Sequence, residues 1–208
     1  HGANSSELLS HSDVALYTSK EKTKGQIQLF TKGISDILEY QFALEEQLSF
    51  ALAREEISVH YQPKINAANG EIIGVEALCR WHSPEFGYVS PDQFIDVAEK
   101  TGLIIEIGDF VMKQACKDIV LFNRLNQSQV GVAINISPLQ LLHKDFESKA
   151  KDILNSNELN NHLVIFEITE NVVIEDTDRV KNILTNLSAE GFGVSLDDFG
   201  TGYCSLRY

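Results

Sequence analysis

The sequence predicts an α/β fold of the (β/α)8 barrel type whose first strand runs antiparallel to the second. Three observations carry this. From Ile57 onward, apolar runs of strand length alternate with helical patterns, the signature of strands joined by crossover helices. The first two runs flank Ala67-Ala68-Asn69-Gly70, and Asn-Gly between apolar runs marks a hairpin. On the later strands small and polar residues share one face and bulky residues the other, as in a barrel with a crowded interior and an outer layer of helices. An open doubly wound sheet is the alternative, and it would place its ligand crevice where the strand order reverses.

Ser6 to Ser19 carries Leu8, Leu9, Val14, Ala15, Leu16 and Tyr17 at helical spacing and leads into Lys20, Lys22 and Lys24, which reads as a helix ending in solvent. Gln26 to Phe30 reads as a short strand. Ile34 to Arg54 reads as a long amphipathic helix carrying Ile37, Leu38, Leu44, Leu48, Ala51 and Leu52. One helix and one strand cannot bury a core, so residues 1–33 are expected to be the tail of another domain, 34–54 a connecting helix, and 55–208 the main domain. Within it, Ile57 to Ile65 and Glu71 to Trp81 form the hairpin strands. A helix begins near Ser90, where Ser90 and Gln93 make a capping-box pattern and Pro91 lies in the first turn; a second spans Ile105 to Leu125. Strands follow at Val130 to Ile136, Leu163 to Ile168 and Gly193 to Leu196, with helices at Pro138 to Asn155 and Asp176 to Glu190 between them.

Composition narrows the function. The chain has 208 residues and a formal charge of -13. Such a balance argues against DNA, RNA or an anionic membrane as partner, because each rewards a basic surface. A phosphate-bearing substrate would need local help, which divalent cations held by clustered carboxylates could provide. Cys79, Cys116 and Cys204 are odd in number and widely spaced, so neither a disulfide framework nor a zinc site is predicted. There is no signal peptide and no apolar run of transmembrane length, and a cytoplasmic chain is expected.

Strand parity gathers the chemistry. Gly131, Ala133, Asn135 and Ser137 share one face; Ile165, Glu167 and Thr169 share another, as do Gly193, Ser195 and Asp197, and Gly74, Glu76, Leu78 and Arg80. Glu76, Asn135, Glu167 and Asp197 are all oxygen donors, which suits Mg2+ or Mn2+ and disfavours a thiolate-rich zinc site. Asp198, next along the turn, could serve a neighbouring position, and two metals sharing Asp197 would clamp both oxygens of a phosphoryl displacement. Arg80, on the face of Glu76, can meet a phosphate with its planar fork. Phe199 to Leu206 is expected to be a mobile loop, with Glu170 either its anchor or an ordinary exposed acid. Four histidines, His60, His82, His143 and His162, show no metal-ligand spacing and are assigned structural or surface roles.

These segments resemble the EAL-domain cyclic di-GMP phosphodiesterases. Glu76-Ala77-Leu78 stands with Arg80-Trp81, preceded by Tyr61-Gln62-Pro63 and followed by Ser90-Pro91 and Phe94-Ile95. Asn135-Ile136-Ser137-Pro138, Glu167-Ile168-Thr169-Glu170 and Asp197-Asp198-Phe199-Gly200-Thr201-Gly202-Tyr203 complete the pattern. The resemblance runs from about Gln41 to the end of the chain. It implies a TIM-like barrel with an antiparallel first strand, two Mg2+ or Mn2+ ions, inhibition by calcium, and hydrolysis of cyclic di-GMP to pGpG in bacterial signalling. By the same resemblance Glu76, Asn135, Glu167 and Asp197 are metal ligands and Asp198 serves the second metal. Glu170 positions the loop Asp198 to Leu206 for substrate binding and homodimerisation, and Gln62, Leu78 and Arg80 contact substrate.

Ala15-Leu16-Tyr17-Thr18-Ser19-Lys20 resembles the closing helix of a GGDEF diguanylate cyclase domain, with Lys20 and Lys24 at positions that meet nucleotide phosphates there. A barrel of this type needs about 250 residues, and the pattern stops after about five strands. The family's later lysine and its general-base glutamate have no counterpart before Tyr208. The chain is therefore expected to be a piece of a longer GGDEF-EAL protein, with little hydrolytic activity alone and an exposed sheet edge. A catalytically inactive EAL domain acting as a cyclic di-GMP receptor or regulatory module is the alternative. A glycosidase using Glu76 and Glu167 as its carboxylate pair would leave Asn135 and the adjacent aspartates without a role.

Overall fold

The computed structural model describes residues 4–22, 27, 29–169 and 177–197. The chain forms two compact units, His1–Phe50 and Ala51–Tyr208.

The first unit holds α1 (Ser5–Lys22) and most of α2 (Lys32–Ala51). The Asn4 side-chain oxygen accepts the Glu7 N–H at 2.9 Å and so caps the otherwise unpaired start of α1. Of the apolar residues expected on one face of α1, Ala15 is buried whereas Leu8, Leu9 and Leu16 are exposed. On α2, Leu38, Leu44 and Leu48 are buried at helical spacing, but Ile37 is 47% exposed and belongs to the outer face with Phe42. The strand expected at Gln26 to Phe30 does not form among the described residues: Ile27, Leu29 and Phe30 are irregular, and Phe30 stacks on His11 of α1 at 3.7 Å. Gln26 and Gln28 lie outside the described residues, as does Lys24.

The second unit is built on one mixed sheet. Its strands are β1 (Ile57–Ile65), β2 (Ile72–Ser83), β3 (Gly87–Val89), β4 (Gly131–Ile136), β5 (Val164–Thr169) and β6 (Gly193–Asp197). They lie in the order β1-β2-β4-β5-β6, with β3 added to β2. The hairpin expectation holds, since β1 and β2 pair antiparallel with Gln62 opposite Glu76. The connection is longer than a two-residue Asn-Gly turn. Asn66 accepts the Ala68 N–H through its side chain at 2.9 Å and the Gly70 N–H through its carbonyl at 2.8 Å, with Gly70 at φ 73°. β4, β5 and β6 then run parallel to one another, and β4 parallel to β2, as the alternating pattern predicts.

The helices of this unit are α3 (Pro91–Thr101), α4 (Ile104–Asn126), α5 (Pro138–Leu141), α6 (Phe146–Asn157) and α7 (Thr177–Ala189). The predicted bulky faces are buried: Val132, Ile134 and Ile136 on β4 and Val164, Phe166 and Ile168 on β5 are each at most 3% exposed. Burying a side chain of this size contributes about 1.5–3 kcal/mol. Phe166 meets Phe146 of α6 edge-on at 5.7 Å and Phe192, just before β6, at 5.1 Å. Asn123 aligns the entry to β4, because its side chain accepts the Val130 N–H at 2.8 Å and donates to the Val130 carbonyl at 2.9 Å. It thereby imitates a neighbouring strand.

Three local expectations are corrected. Ser90 stands at the N-cap, but its hydroxyl makes no capping bond; its backbone carbonyl takes the Gln93 N–H at 3.0 Å, and Pro91 presents no N–H to satisfy. The single helix expected from Pro138 to Asn155 is broken into α5 and α6, and the break lets both Leu141 and Phe146 bury fully. β3 was not foreseen, because three residues are too few to show a period.

Candidate functional site

The parallel register carries the candidate donors to one end of the sheet. Asn135 pairs with Glu167; Glu76 pairs with Ala133, one step before Asn135 on the same face; Asp197 pairs with Thr169, one step beyond Glu167. Alternation along each strand therefore puts all four on the face opposite the helix-packed residues. Asn135 donates Nδ2 to Glu76 Oε1 at 2.9 Å. That bond uses the amide nitrogen and leaves Oδ1 as the donor atom suited to a hard cation. Glu167 is 9% exposed and Asp197 is exposed at the end of β6.

Sequence reasoning missed Lys64. Its Nζ donates to Glu167 Oε1 at 2.6 Å, making an ion pair between β1 and β5. In a flat sheet these strands, separated by β2 and β4, would lie three spacings apart, about 14 Å. A lysine spans that gap only across the concave side of a curled sheet, so the bond also reports the curvature that barrel-type folds require. The parity test applied to β1 would have found it, since Lys64 shares a face with Gln62.

A pocket of about 430 Å³ opens at this rim, lined by Leu78, Arg80, Asn135 and Glu167 on the strand side and by Pro91 and Ile95 of α3. Arg80 is half-buried and donates Nη1 to the Cys79 carbonyl at 2.9 Å, which holds its plane at the pocket wall. Burial raises the Cys79 thiol to about 12 despite the opposing Arg80 charge, so it stays protonated and inert at neutral pH. The lining includes Gln140, also unforeseen: it is 2% exposed, its Nε2 has no hydrogen-bond partner among the described residues, and its amide packs where a Cβ on Gly108 of α4 would stand. Gln62 faces Glu76 across the hairpin and is exposed; it does not line the pocket. His60, His82 and His162 are exposed and His143 is half-buried, away from any metal-ligand arrangement among the described residues.

Asp198, Glu170 and the loop Asp198 to Leu206 lie outside the described residues. Among the described residues no group of three or more His, Cys, Asp or Glu gathers closely enough to hold a metal. The gathered set is instead two glutamates and an asparagine, Glu76, Asn135 and Glu167. Its all-oxygen character fits Mg2+ or Mn2+ rather than a softer ion.

The mixed sheet with its helices fits a class of α/β proteins, the TIM-like folds, whose sites lie at the C-terminal ends of their parallel strands. The EAL domain family model matches residues 45–208, and the chain belongs to that family. It is 39% identical over 207 residues to the bifunctional diguanylate cyclase/cyclic di-GMP phosphodiesterase MucR of Pseudomonas aeruginosa, covering 100% of this chain and 30% of that protein. It is 36% identical over 207 residues to the cyclic di-GMP phosphodiesterase PdeR of Escherichia coli, covering 99% of this chain and 31% of that one. The chain thus spans under a third of the length of these curated relatives. Among solved structures, the PaMucR phosphodiesterase in complex with c-di-GMP aligns with a TM-score of 0.75 at 42% identity, over 78% of this chain and 66% of that one. No helix among the described residues is long and apolar enough to cross a membrane.

Proposed function

We propose that the full-length protein hydrolyses cyclic di-GMP to pGpG at the rim formed by Glu76, Asn135 and Glu167. The Asn135–Glu76 bond carries this reading, because it brings an amide and a carboxylate from different strands to 2.9 Å beside Glu167 at the pocket mouth. Glu76, Asn135, Glu167 and Asp197 would hold one of two Mg2+ or Mn2+ ions, with Asp198 serving the second and sharing being arranged through Asp197. Bound ions would supply acidification of the attacking water and neutralisation of phosphoryl charge. Arg80, already at the pocket wall, binds a phosphate oxygen with its remaining donors. Leu78 packs against the ligand, and Gln62, opposite Glu76, contacts it from β1. Glu170 positions the loop Asp198 to Leu206, through which two copies of the domain associate. The presence of Glu76, Asn135, Glu167 and Asp197 together in one chain favours hydrolysis over a binding-only role.

Residues 1–33 are read as the end of a GGDEF domain, 34–54 as the connecting helix and 55–208 as EAL domain forming part of a closed barrel. The identity to MucR, named for both activities, extends over the whole chain and supports this organisation. The protein is placed in the cytoplasm.

Calorimetric titration of cyclic di-GMP into the full-length protein with Ca2+, the ion expected to permit binding without turnover, tests the site. Arg80→Ala is expected to weaken binding at least about tenfold, as loss of a charged hydrogen bond does. Affinity unchanged by Arg80→Ala would place the ligand elsewhere.

A further inference from the structure

We propose that Lys64 is a resident counter-cation of this site, competing with a divalent ion for Glu167 and so setting the metal affinity. The inference rests on the reading of Glu167 as a metal ligand. Lys64 Nζ lies 2.6 Å from Glu167 Oε1, the distance of a charge-assisted hydrogen bond. A divalent ion on the same carboxylate would sit at about 2.0–2.6 Å from its oxygen, so ammonium and metal would stand only a few ångströms apart. Two positive centres at that separation in a half-buried site repel strongly.

The exposures of the two partners decide which one yields. The Glu167 side chain is 11% accessible and fixed in the strand face, whereas that of Lys64 is 39% accessible on a strand that is at the edge of the sheet among the described residues. The lysine can swing its ammonium into water; the carboxylate cannot follow. Glu76, on the neighbouring strand, already engages the Asn135 amide. Lys64 therefore neutralises the more deeply buried of the two glutamates, offsetting the desolvation of its charge. Metal entry requires that this bond be given up. A purely structural clip between β1 and β5 would act in the opposite sense, since its removal would loosen Glu167 and weaken metal binding.

Mn2+ titration of the chain, with free ion followed by electron paramagnetic resonance, separates the two. Lys64→Met keeps the apolar stem without the charge and is expected to tighten Mn2+ binding on the order of tenfold. Lys64→Arg, whose fork can hold the carboxylate through two bonds, is expected to weaken it several-fold and stands as the test if the methionine variant fails to fold. Binding that is unchanged or weaker in Lys64→Met, or unchanged in Lys64→Arg, overturns the counter-cation role while a loss of Mn2+ in Glu167→Gln still supports the metal site. Indifference of Mn2+ binding to Glu167→Gln overturns both.

Discussion

Cys116 on α4 shows how a single buried group shapes the response to pH. Burial raises its thiol from 9.0 to about 12, so the folded chain keeps a proton that the unfolded chain releases near pH 9. Folded protein then binds more protons than unfolded, and stability present below pH 9 is lost as pH rises toward 12. Tyr61 is shifted upward in the same sense by burial and by its 2.7 Å bond to Asp118, as is Cys79 by burial. Urea unfolding between pH 8 and 10.5 is expected to show a falling stability, and Cys116→Ala should flatten the slope by up to about 1.4 kcal/mol per pH unit. Equal slopes in the two proteins would contradict the assignment. At this scale the gathering of Glu76, Asn135 and Glu167 on one face was legible, because each occupies the polar parity of an otherwise apolar strand. Parity marks the face of Lys64 but not its ion pair, whose partner Glu167 comes 103 residues later, and nothing local marks the burial of Gln140 against Gly108 of α4. The same is true of Glu56, whose buried carboxylate accepts the Trp81 indole N–H at 3.0 Å, a bond that no local pattern announces.

Among the elements, the strands were the most readable. Ile57–Ile65 was anticipated to the residue, and β4, β5 and β6 within one residue at each end, because their apolar runs are short and bounded by turn residues. Helix continuity was harder, since the break between α5 and α6 comes from packing of Leu141 and Phe146 rather than from a glycine or proline. Close approach of the strands also leaves a testable trace. A Cβ on Gly131 would lie 2.9 Å from the Leu163 carbonyl, a backbone atom that cannot swing aside. Gly131→Ala is expected to destabilise the second unit by about 1–3 kcal/mol through overpacking. Thermal unfolding unchanged by that substitution would mean that β4 and the turn before β5 are less tightly apposed than described.

For the whole molecule, the charge of -13 and the curled sheet point the same way. On the proposed function, an acidic protein would meet a doubly anionic dinucleotide only where cations and Arg80 reverse the local field. The sheet's curl, shown by Lys64 reaching Glu167, turns four strand ends into one rim. The family was legible from ordered motifs; the curvature was not, because it depends on contacts across three strand gaps. The central claim is that this rim performs metal-dependent cleavage of cyclic di-GMP. It is tested most directly by following pGpG release from cyclic di-GMP with Mn2+ by the full-length protein and its Glu76→Ala variant. The account predicts turnover that chelation abolishes and that the variant lowers at least about 100-fold, as loss of a ligand to a catalytic metal should. Turnover of the variant equal to that of the unaltered protein would contradict it.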